Sequence, residues 1–357
     1  MEIRANILEI PRLLRETLEK GAGEYEATVR KVRWGDSPLY ICCCGPTLPA
    51  GLAGAYLFEW LAGRPVVVQS SKVFEEYTQF SVASRSAVIV IAPSGEDPEA
   101  LEIVRAARAR SAVPLALTRA AAGGLAEACA GIFLTRDEGP EDSVAAAVCQ
   151  QAALSSIALT TARVVKGSGA GVEVFEDELT RLPGQVEWCF TQLSDAVRSL
   201  AHELRAMDRF WLVGGGLYHP VAVRGVRCFS GLGGVHAQGI EVSEFCAGPL
   251  SHLGRGDVAV FVSGSRSRIK RQVHRAAAQV RVAGARLISI TDSNDRDLID
   301  RSDIAILVPQ LSEVGGSALA LALLGLLGAE SARNPERRRA GKLSPDGADE
   351  SGHGPKA

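Results

Sequence analysis

The sequence predicts an α/β protein made of two tandem domains, each a parallel β-sheet sandwich with helices on both faces. Short, near-continuous apolar runs alternate with segments of helical periodicity, which is typical of strands covered on both sides. The order of elements also repeats. A strand followed by a glycine turn and a helix occurs at 39–62 and again from 210, and a strand ending in a serine–glycine turn occurs at 88–95 and again at 258–265.

Size and composition agree with two domains. The chain has 357 residues, which exceeds one ordinary core. A hydrophobic fraction of 46% and a formal net charge of −2 indicate neither disorder nor nucleic-acid binding. Residues 1–20 alternate charged and apolar side chains, unlike a secretory leader, and the most apolar stretch, 317–327, is shorter than the ~20 residues that span a bilayer. We therefore expect a cytoplasmic protein with no membrane or nucleic-acid partner.

The first half is predicted in order from its periodicity. Residues 1–32 form an N-terminal helical segment with apolar positions at helical spacing, and residues 33–166 form the first domain. Its predicted strands are 40–44, 66–69, 87–92, 114–118 and 132–134, and its predicted helices are 49–62, 98–110 and 142–165.

The second half repeats the order after a linker at 167–185, which is rich in glycine at its start. The second domain spans 186–330. Its predicted strands are 210–213, 258–262, 286–291 and 304–308, and its predicted helices are 186–207, a helix from 220, 267–283 and 315–328. Residues 331–357 carry few apolar side chains and are predicted to be a flexible tail.

The eight cysteines favour free, buried thiols over disulfides or a metal centre. Cys42, Cys43 and Cys44 follow one another on a strand, so their side chains alternate between faces and cannot converge on one ion. The sequence contains no Cys-x-x-Cys pair. We predict no metal site and no cofactor.

The two turns of the first domain are the predicted ligand site. A strand that runs through a Gly/Ser turn into a helix presents free N–H groups and the positive end of the helix dipole to an anion. Gly45, Thr47, Ser94, Gly95 and Asp97 lie in these turns. Asp97 has a second interpretation, because an aspartate before a proline at a helix start is a favoured N-cap.

Segment 236–250 is the most specific in the chain. It begins His236-Ala237 and ends Glu244-Phe245-Cys246-Ala247-Gly248-Pro249-Leu250, and it resembles the isomerase half of glucosamine-6-phosphate synthase and the fructosamine-6-phosphate deglycases. These are sugar isomerase (SIS) domain proteins. Residues 44–47 and 92–97 resemble the Cys-Gly-Thr-Ser and Ser-Gln-Ser-Gly-Glu-Thr loops of that family. The resemblance extends from about residue 30 to 328 and implies two tandem SIS domains, a sugar-derivative ligand and a homodimer.

The sequence departs from the family where the chemistry is done. By resemblance, the family's proton-transferring glutamate falls at Gly231, its ring-opening histidine at Ala247 and a lysine at Cys228. Neither glycine nor alanine can move a proton. In the phosphate loops only Thr47 and Ser94 keep a side-chain donor, and the carboxylate of Asp97 would repel a phosphate.

Four residues remain as catalytic candidates: Glu241, Glu244, His236 and His252. Glu244 matches a family glutamate beside the active centre, and Glu241 is predicted on the same helical turn. Solvated carboxylates and structural histidines are the competing interpretations. They apply equally to His219, which lies in the second glycine-rich turn.

Three hypotheses follow. The chain is a divergent sugar or sugar-phosphate isomerase, aminotransferase or deglycase-like enzyme with relocated acid–base residues. Alternatively, it is an inactive sugar-binding or regulatory paralogue, as the joint loss of acid and base would suggest. The third possibility is an enzyme for an unphosphorylated or cationic sugar, which Asp97 would favour.

Overall fold

The computed structural model describes residues 2–34, 37–167, 171–204, 207, 209–229 and 236–332. It contains two five-stranded sheets in which every pair of neighbouring strands is parallel. The predicted fold class is therefore confirmed.

The first sheet has the strand order β2-β1-β3-β4-β5. Its strands are β1 (Leu39–Cys43), β2 (Val66–Ser70), β3 (Ala87–Ile91), β4 (Val113–Thr118) and β5 (Gly131–Leu134). The helices of this domain are α3 (Leu48–Leu57), which a π-helical turn at Phe58–Ala62 extends, and α4 (Ser71–Glu76), α5 (Pro98–Ala109) and α6 (Gly124–Ala128). Its three central strands are apolar and buried along most of their length, as both-face coverage requires.

The second sheet has the order β10-β9-β8-β6-β7, which is the first order read from the other edge. Its strands are β6 (Arg209–Gly214), β7 (His236–Glu241), β8 (Val258–Val262), β9 (Arg286–Asp292) and β10 (Ile304–Val308). Its helices are α10 (Tyr218–Gly225), α11 (Val242–Ala247), α12 (Lys270–Ala283) and α13 (Arg296–Arg301). The repetition seen in the sequence is thus a repetition of topology.

Six further helices join the two sheets. They are α1 (Glu2–Leu8), α2 (Ile10–Lys31), α7 (Val144–Lys166), α8 (Glu173–Gln192), α9 (Ser194–Leu204) and α14 (Glu313–Ser331). One hydrophobic core runs through both halves and includes Ile41 of the first sheet and Leu212 of the second. By length and composition α7 and α14 could each cross a membrane, but 89% and 100% of their most apolar windows are buried inside the fold. Packing in this core accounts for their apolar character.

The cysteine-rich strand β1 behaves as alternation predicts. Cys43 belongs to the core shared by the domains, whereas Cys42 and Cys44 belong to a separate core on the opposite face of the sheet. All eight cysteines are free. The expectation of burial is wrong for Cys246, which is exposed.

Two predicted segments differ from the structure. Helix α8 begins at Glu173, so most of the segment predicted as a linker at 167–185 is helical. Leu179, Leu182 and Val186 form a buried stripe that holds the helix on its neighbours. Strand β7 was not predicted, because its sequence, HAQGIE, has little apolar character. The predicted tail from residue 333 lies outside the described residues.

Candidate functional site

The first crevice lies where β1 and β3 end. These two strands are neighbours, yet the chain leaves β1 for β2 on one side and returns to β3 on the other. Ligands of open α/β sheets bind at such a switch point, outside the carboxyl ends of the strands. We use "first crevice" for the turn Gly45–Thr47 together with residues 92–97.

The turn at Gly45 leaves no side-chain proton free for a ligand. Gly45 has φ of +56°, a conformation that favours glycine. Thr47 is 2% exposed, and its hydroxyl donates to the carbonyl of Cys44 at 2.9 Å. The single proton of this hydroxyl is therefore used inside the turn.

The loop after β3 keeps free amides. The N–H groups of Ser94 and Gly95 have no acceptor among the described residues, while the Ser94 hydroxyl accepts from the amide of Glu96 at 3.2 Å. A Cβ on Gly95 would stand 2.7 Å from the Cβ of Ala120, so only glycine fits. Main-chain donors thus dominate what this crevice offers to a ligand.

Asp97 is the N-cap of α5. Its Oδ1 accepts from the amide of Ala100 at 3.0 Å, which confirms the capping interpretation. Burial, assisted by the carboxylates of Asp97 and Glu99, raises the pKa of the Cys44 thiol. The thiol beneath the crevice is therefore neutral at physiological pH.

Glu241 is not on a helical turn with Glu244, and that prediction is wrong. It is the last residue of β7 and the N-cap of α11, where its carboxylate accepts from the amide of Ser243 at 2.5 Å. After burial, the Glu241 carboxylate is the next cause of the raised pKa of Tyr56 on α3. It therefore lies at the boundary between the two domains.

His219 faces the same boundary at the start of α10. Burial lowers its pKa against the opposing effect of Glu241, so the imidazole is neutral at pH 7. Its Nδ1 is buried and lacks a partner in the described part of the chain. Tyr56, His219 and Glu241 form a group of titratable side chains that we call the boundary cluster.

The remaining catalytic candidates lie elsewhere. His236 begins β7 and Glu241 ends it, which at ~3.3 Å per residue puts their Cα atoms ~16 Å apart. Glu244 on α11 and His252, which ends the following 3₁₀ turn, are both exposed. His236 is therefore far from Glu241, whereas Glu244 and His252 lie on consecutive elements that pack against each other.

The positions that replace the family's catalytic residues differ in what the structure shows. Gly231 lies outside the described residues. Ala247 ends α11 and is exposed, and Cys228 lies in a 3₁₀ turn where burial raises the pKa of its thiol to about 11.

Arg224 on α10 was not predicted. It is 4% exposed, and its guanidinium donates to the carbonyls of Asp142 and of Ser143, the latter at 3.0 Å. No carboxylate in the described ranges forms an ion pair with it. It lines a small cavity with Pro46 and Gln150, directly behind the first crevice. No pattern in the sequence indicated this role, because arginine is usually a surface residue of a helix.

A second crevice lies at the equivalent place in the other domain, between the ends of β6 and β8. Gly216 has φ of +56°, like Gly45. Here two main-chain donors have acceptors from the same chain: the amide of Ser265 donates to Asp292 Oδ2 at 2.7 Å, and that of Arg268 to Glu313 Oε1 at 3.1 Å. The hydroxyl of Ser267 also donates to Glu313, at 2.8 Å.

This duplicated architecture matches a known family. The model of the SIS domain matches residues 37–165 and 203–326. The chain belongs to the SIS domain family. The two matched segments together cover more than half of the chain and contain both crevices.

The curated relatives of this SIS chain are larger enzymes, and the chain aligns with about half of each. It is 26% identical over 312 residues to the glutamine–fructose-6-phosphate aminotransferase [isomerizing] of Thermococcus kodakarensis, covering 86% of this chain and 51% of that protein. It is 28% identical over 331 residues to the same enzyme of Gloeobacter violaceus, covering 90% of this chain and 54% of the relative. The chain thus spans about half the length of these relatives.

Solved structures share the fold across the whole SIS scaffold. The C-terminal domain of glucosamine-fructose-6-phosphate aminotransferase from Francisella tularensis superposes with a TM-score of 0.81 at 19% identity, covering 92% of this chain and 95% of that one. Tagatose-6-phosphate ketose/aldose isomerase from Escherichia coli gives 0.72 at 14% identity, with coverages of 92% and 93%. At these identities the likeness concerns the fold alone.

Proposed function

We propose that this SIS protein binds a sugar derivative in its first crevice. One observation carries the proposal: the amide of Ser94 in the first crevice has no acceptor among the described residues, whereas the amide of Ser265, at the equivalent position of the second crevice, donates to Asp292. An unpaired polar group costs free energy unless a ligand or water satisfies it. Each chain therefore offers one open anion- or hydroxyl-binding turn at a switch point.

The names of the relatives support the ligand class. They describe enzymes that act on fructose 6-phosphate, and one structural neighbour is a ketose/aldose isomerase for tagatose 6-phosphate. Asp97 and the loss of hydroxyl donors at Pro46, Ala92 and Pro93 weaken a grip on a phosphate dianion. We infer that the ligand is an amino sugar or another sugar derivative held mainly by main-chain amides.

Binding without conversion is the function that we favour. His236 lies ~16 Å from Glu241 along β7, and the hydroxyl of Thr47 already donates its proton to the carbonyl of Cys44. A regulatory or ligand-sensing role requires the crevice but no acid–base pair.

A divergent isomerase or deglycase is the second candidate, and the boundary cluster favours it. His219 is held neutral and Glu241 is a carboxylate, so the cluster contains groups able to accept and return a proton. Turnover of fructose 6-phosphate, glucosamine 6-phosphate or a fructosamine 6-phosphate that Glu241→Gln and His219→Asn both abolish would establish this candidate. Absence of turnover at high protein concentration would remove it.

A matched pair of variants tests binding. Ser94 and Ser265 occupy equivalent positions in the two crevices, and both are partly exposed. Ser94→Glu places a carboxylate among the free amides and should weaken calorimetric binding of glucosamine or glucosamine 6-phosphate by tenfold or more, about 1.4 kcal/mol. Ser265→Glu should leave it unchanged. Equal affinity in both variants, or no binding by the wild type, would reject the first crevice as the site.

We also propose a homodimer, by analogy with the family layout. Sedimentation equilibrium on the whole chain would decide this, and a monomer at micromolar concentration would contradict it. The cytoplasmic location and the lack of cofactor, metal, nucleic-acid and membrane partners stay predictions.

A further inference from the structure

A cleft of about 370 Å³ lies among three helices and shares no lining residue with either crevice. Helix α2 contributes Leu18 and Gly23, α7 contributes Leu159 and Thr160, and α8 contributes Pro183. Its size falls at the lower end of the range of small-molecule sites, which begins at about 300 Å³.

Two features of the sequence keep this cleft open. Gly23 has no side chain, and a Cβ built on it would meet nothing within 4 Å. On the opposite wall, Pro183 lies inside α8 and has no N–H, so it cannot donate to the carbonyl of Leu179 one turn earlier. Leu179 also lines the cleft.

The cleft contains a hydroxyl that has no partner among the described residues. Thr160 is 4% exposed, and its Oγ1 has no hydrogen bond among the residues that the structure describes. Its neighbour Thr161 donates to the carbonyl of Ile157 at 2.8 Å, and Thr180 on the cleft wall donates to Glu176 at 3.0 Å. Helix geometry therefore permits the usual intrahelical bond, and Thr160 instead offers its hydroxyl to the cleft. At the cleft, the buried polar atom with no partner in the described part of the chain is Arg163 Nε, a second donor for a ligand hydroxyl.

The lining of the cleft carries two guanidiniums and three carboxylates, and most of them are paired. Arg163 lies between Glu26, at 2.9 Å, and Glu176, at 3.7 Å. Arg15 and Glu19, which carry opposite charges, are exposed at the rim. The buried floor is apolar where Leu18, Leu159 and Leu179 line it. An anionic ligand would be repelled by the additional carboxylate, and a cationic ligand would meet only Glu19, which is exposed to solvent and has no ion pair among the described residues.

We propose that this cleft binds a small neutral polyhydroxylated ligand, of the size of a monosaccharide or a cyclic polyol. One hydroxyl of the ligand pairs with Thr160, another donates to the carbonyl of Leu179, and its apolar face rests on the leucines of the floor. The site is independent of the first crevice, and because it links α2 to α7 and α8, its occupation would stabilise the helical layer that joins the two domains.

Glucose, titrated calorimetrically into the full chain, is the probe. Gly23→Leu extends a side chain toward the cleft from a Cβ position that meets nothing within 4 Å. It also removes a helix glycine worth up to about 1 kcal/mol, so we expect the variant to fold at least as well as the wild type. We expect it to bind glucose at least tenfold more weakly. The matched control is Gly184→Leu, because Gly184 is also helical and open around its Cβ position but lies outside the cleft.

A second pair tests the hydroxyl. Thr160→Val should weaken glucose binding several-fold, whereas Thr161→Val, one position along the same helix, should not. The proposal is overturned if the wild type shows no saturable binding at millimolar glucose, if Gly23→Leu binds as well as Gly184→Leu, or if gluconate or glucosamine binds more tightly than glucose. Ser94→Glu should leave the cleft intact, so failure here and failure of the first crevice are separate results.

Discussion

The two crevices share their topology and differ in what fills them. Both lie at the ends of adjacent parallel strands, and both turn on a glycine with φ of +56°. In the second crevice, carboxylates from the same chain occupy the donors: Asp292 is 2% exposed and Glu313 is 4% exposed. The corresponding helix start in the first domain carries Val144 behind the capping Ser143, and no described carboxylate accepts from Ser94 or Gly95.

The difference indicates that two crevices of the same topology have different roles. A buried carboxylate held by a hydroxyl and an amide acts as an internal ligand, which satisfies the turn and stabilises the domain. The first crevice lacks that internal ligand and must rely on water or a bound molecule. We therefore expect mutations in the second crevice to affect mainly stability and mutations in the first to affect mainly binding.

The largest effect should come from removing the internal carboxylate. Glu313→Ala leaves the Ser267 hydroxyl and the Arg268 amide without an acceptor and should lower the free energy of unfolding by about 3 kcal/mol. Guanidinium titrations measure it, with Glu96→Ala as the control, because Glu96 accepts from the amide of Gly124 at an exposed site of the first domain. Sulfate should restore stability more in Glu313→Ala than in the control; equal losses in both variants would contradict the internal-ligand account.

Gly45 and Gly216, the equivalent glycines of the two crevices, provide the next test of the comparison. Alanine at either position adopts a left-handed conformation that costs about 1–2 kcal/mol. At Gly45 the new Cβ meets nothing within 4 Å, whereas at Gly216 it stands 3.3 Å from Glu313 Oε1. Thermal unfolding should therefore show Gly216→Ala to be the more destabilised of the two, by a margin that disappears when Glu313 is also alanine. A larger loss for Gly45→Ala would break the comparison.

Two variants of Asp97 separate the effect of its N-cap on stability from the effect of its charge on binding. Asp97→Ala should cost about 1 kcal/mol of stability through the lost N-cap, while Asp97→Asn keeps the cap and should change stability by only a few tenths. Removing the negative charge should also improve binding of glucosamine 6-phosphate relative to glucosamine, by up to about tenfold. Calorimetry on both variants checks this, and an unchanged preference in Asp97→Asn would show that no anionic group approaches this residue.

The smallest expected effect is on how the free energy of unfolding changes with pH. Burial raises the pKa of Glu313, so this carboxyl binds a proton more readily in the folded than in the unfolded chain. Its contribution to stability is therefore fully present below its ordinary pKa and decreases as pH rises toward the raised value. Over that window the unfolding free energy of the wild type should fall relative to Glu313→Gln, by less than about 1.4 kcal/mol per pH unit. Parallel pH profiles would contradict the assigned shift.

Local patterns in the sequence were enough for most of the fold. Apolar runs located β8 and β10 at their observed bounds, and strand alternation placed Cys43 on one face and Cys42 and Cys44 on the other. The same patterns failed where packing overrides local preference. Strand β7 pairs along β6 despite a polar sequence, and α8 tolerates Pro183 because its buried stripe packs against α2 and α14.

By itself, the sequence determined the fold class, the family and the duplicated strand–turn–helix order, and it offered capping as one of two roles for Asp97, since each depends on residues close together along the chain. Only the tertiary structure decided which turn stays open. The residues that close the second crevice, Asp292 and Glu313, come from distant elements, and so do those that form the boundary cluster and the cleft around Thr160. Contacts of that kind depend on how α7, α8 and α14 pack between the sheets, which local periodicity does not encode.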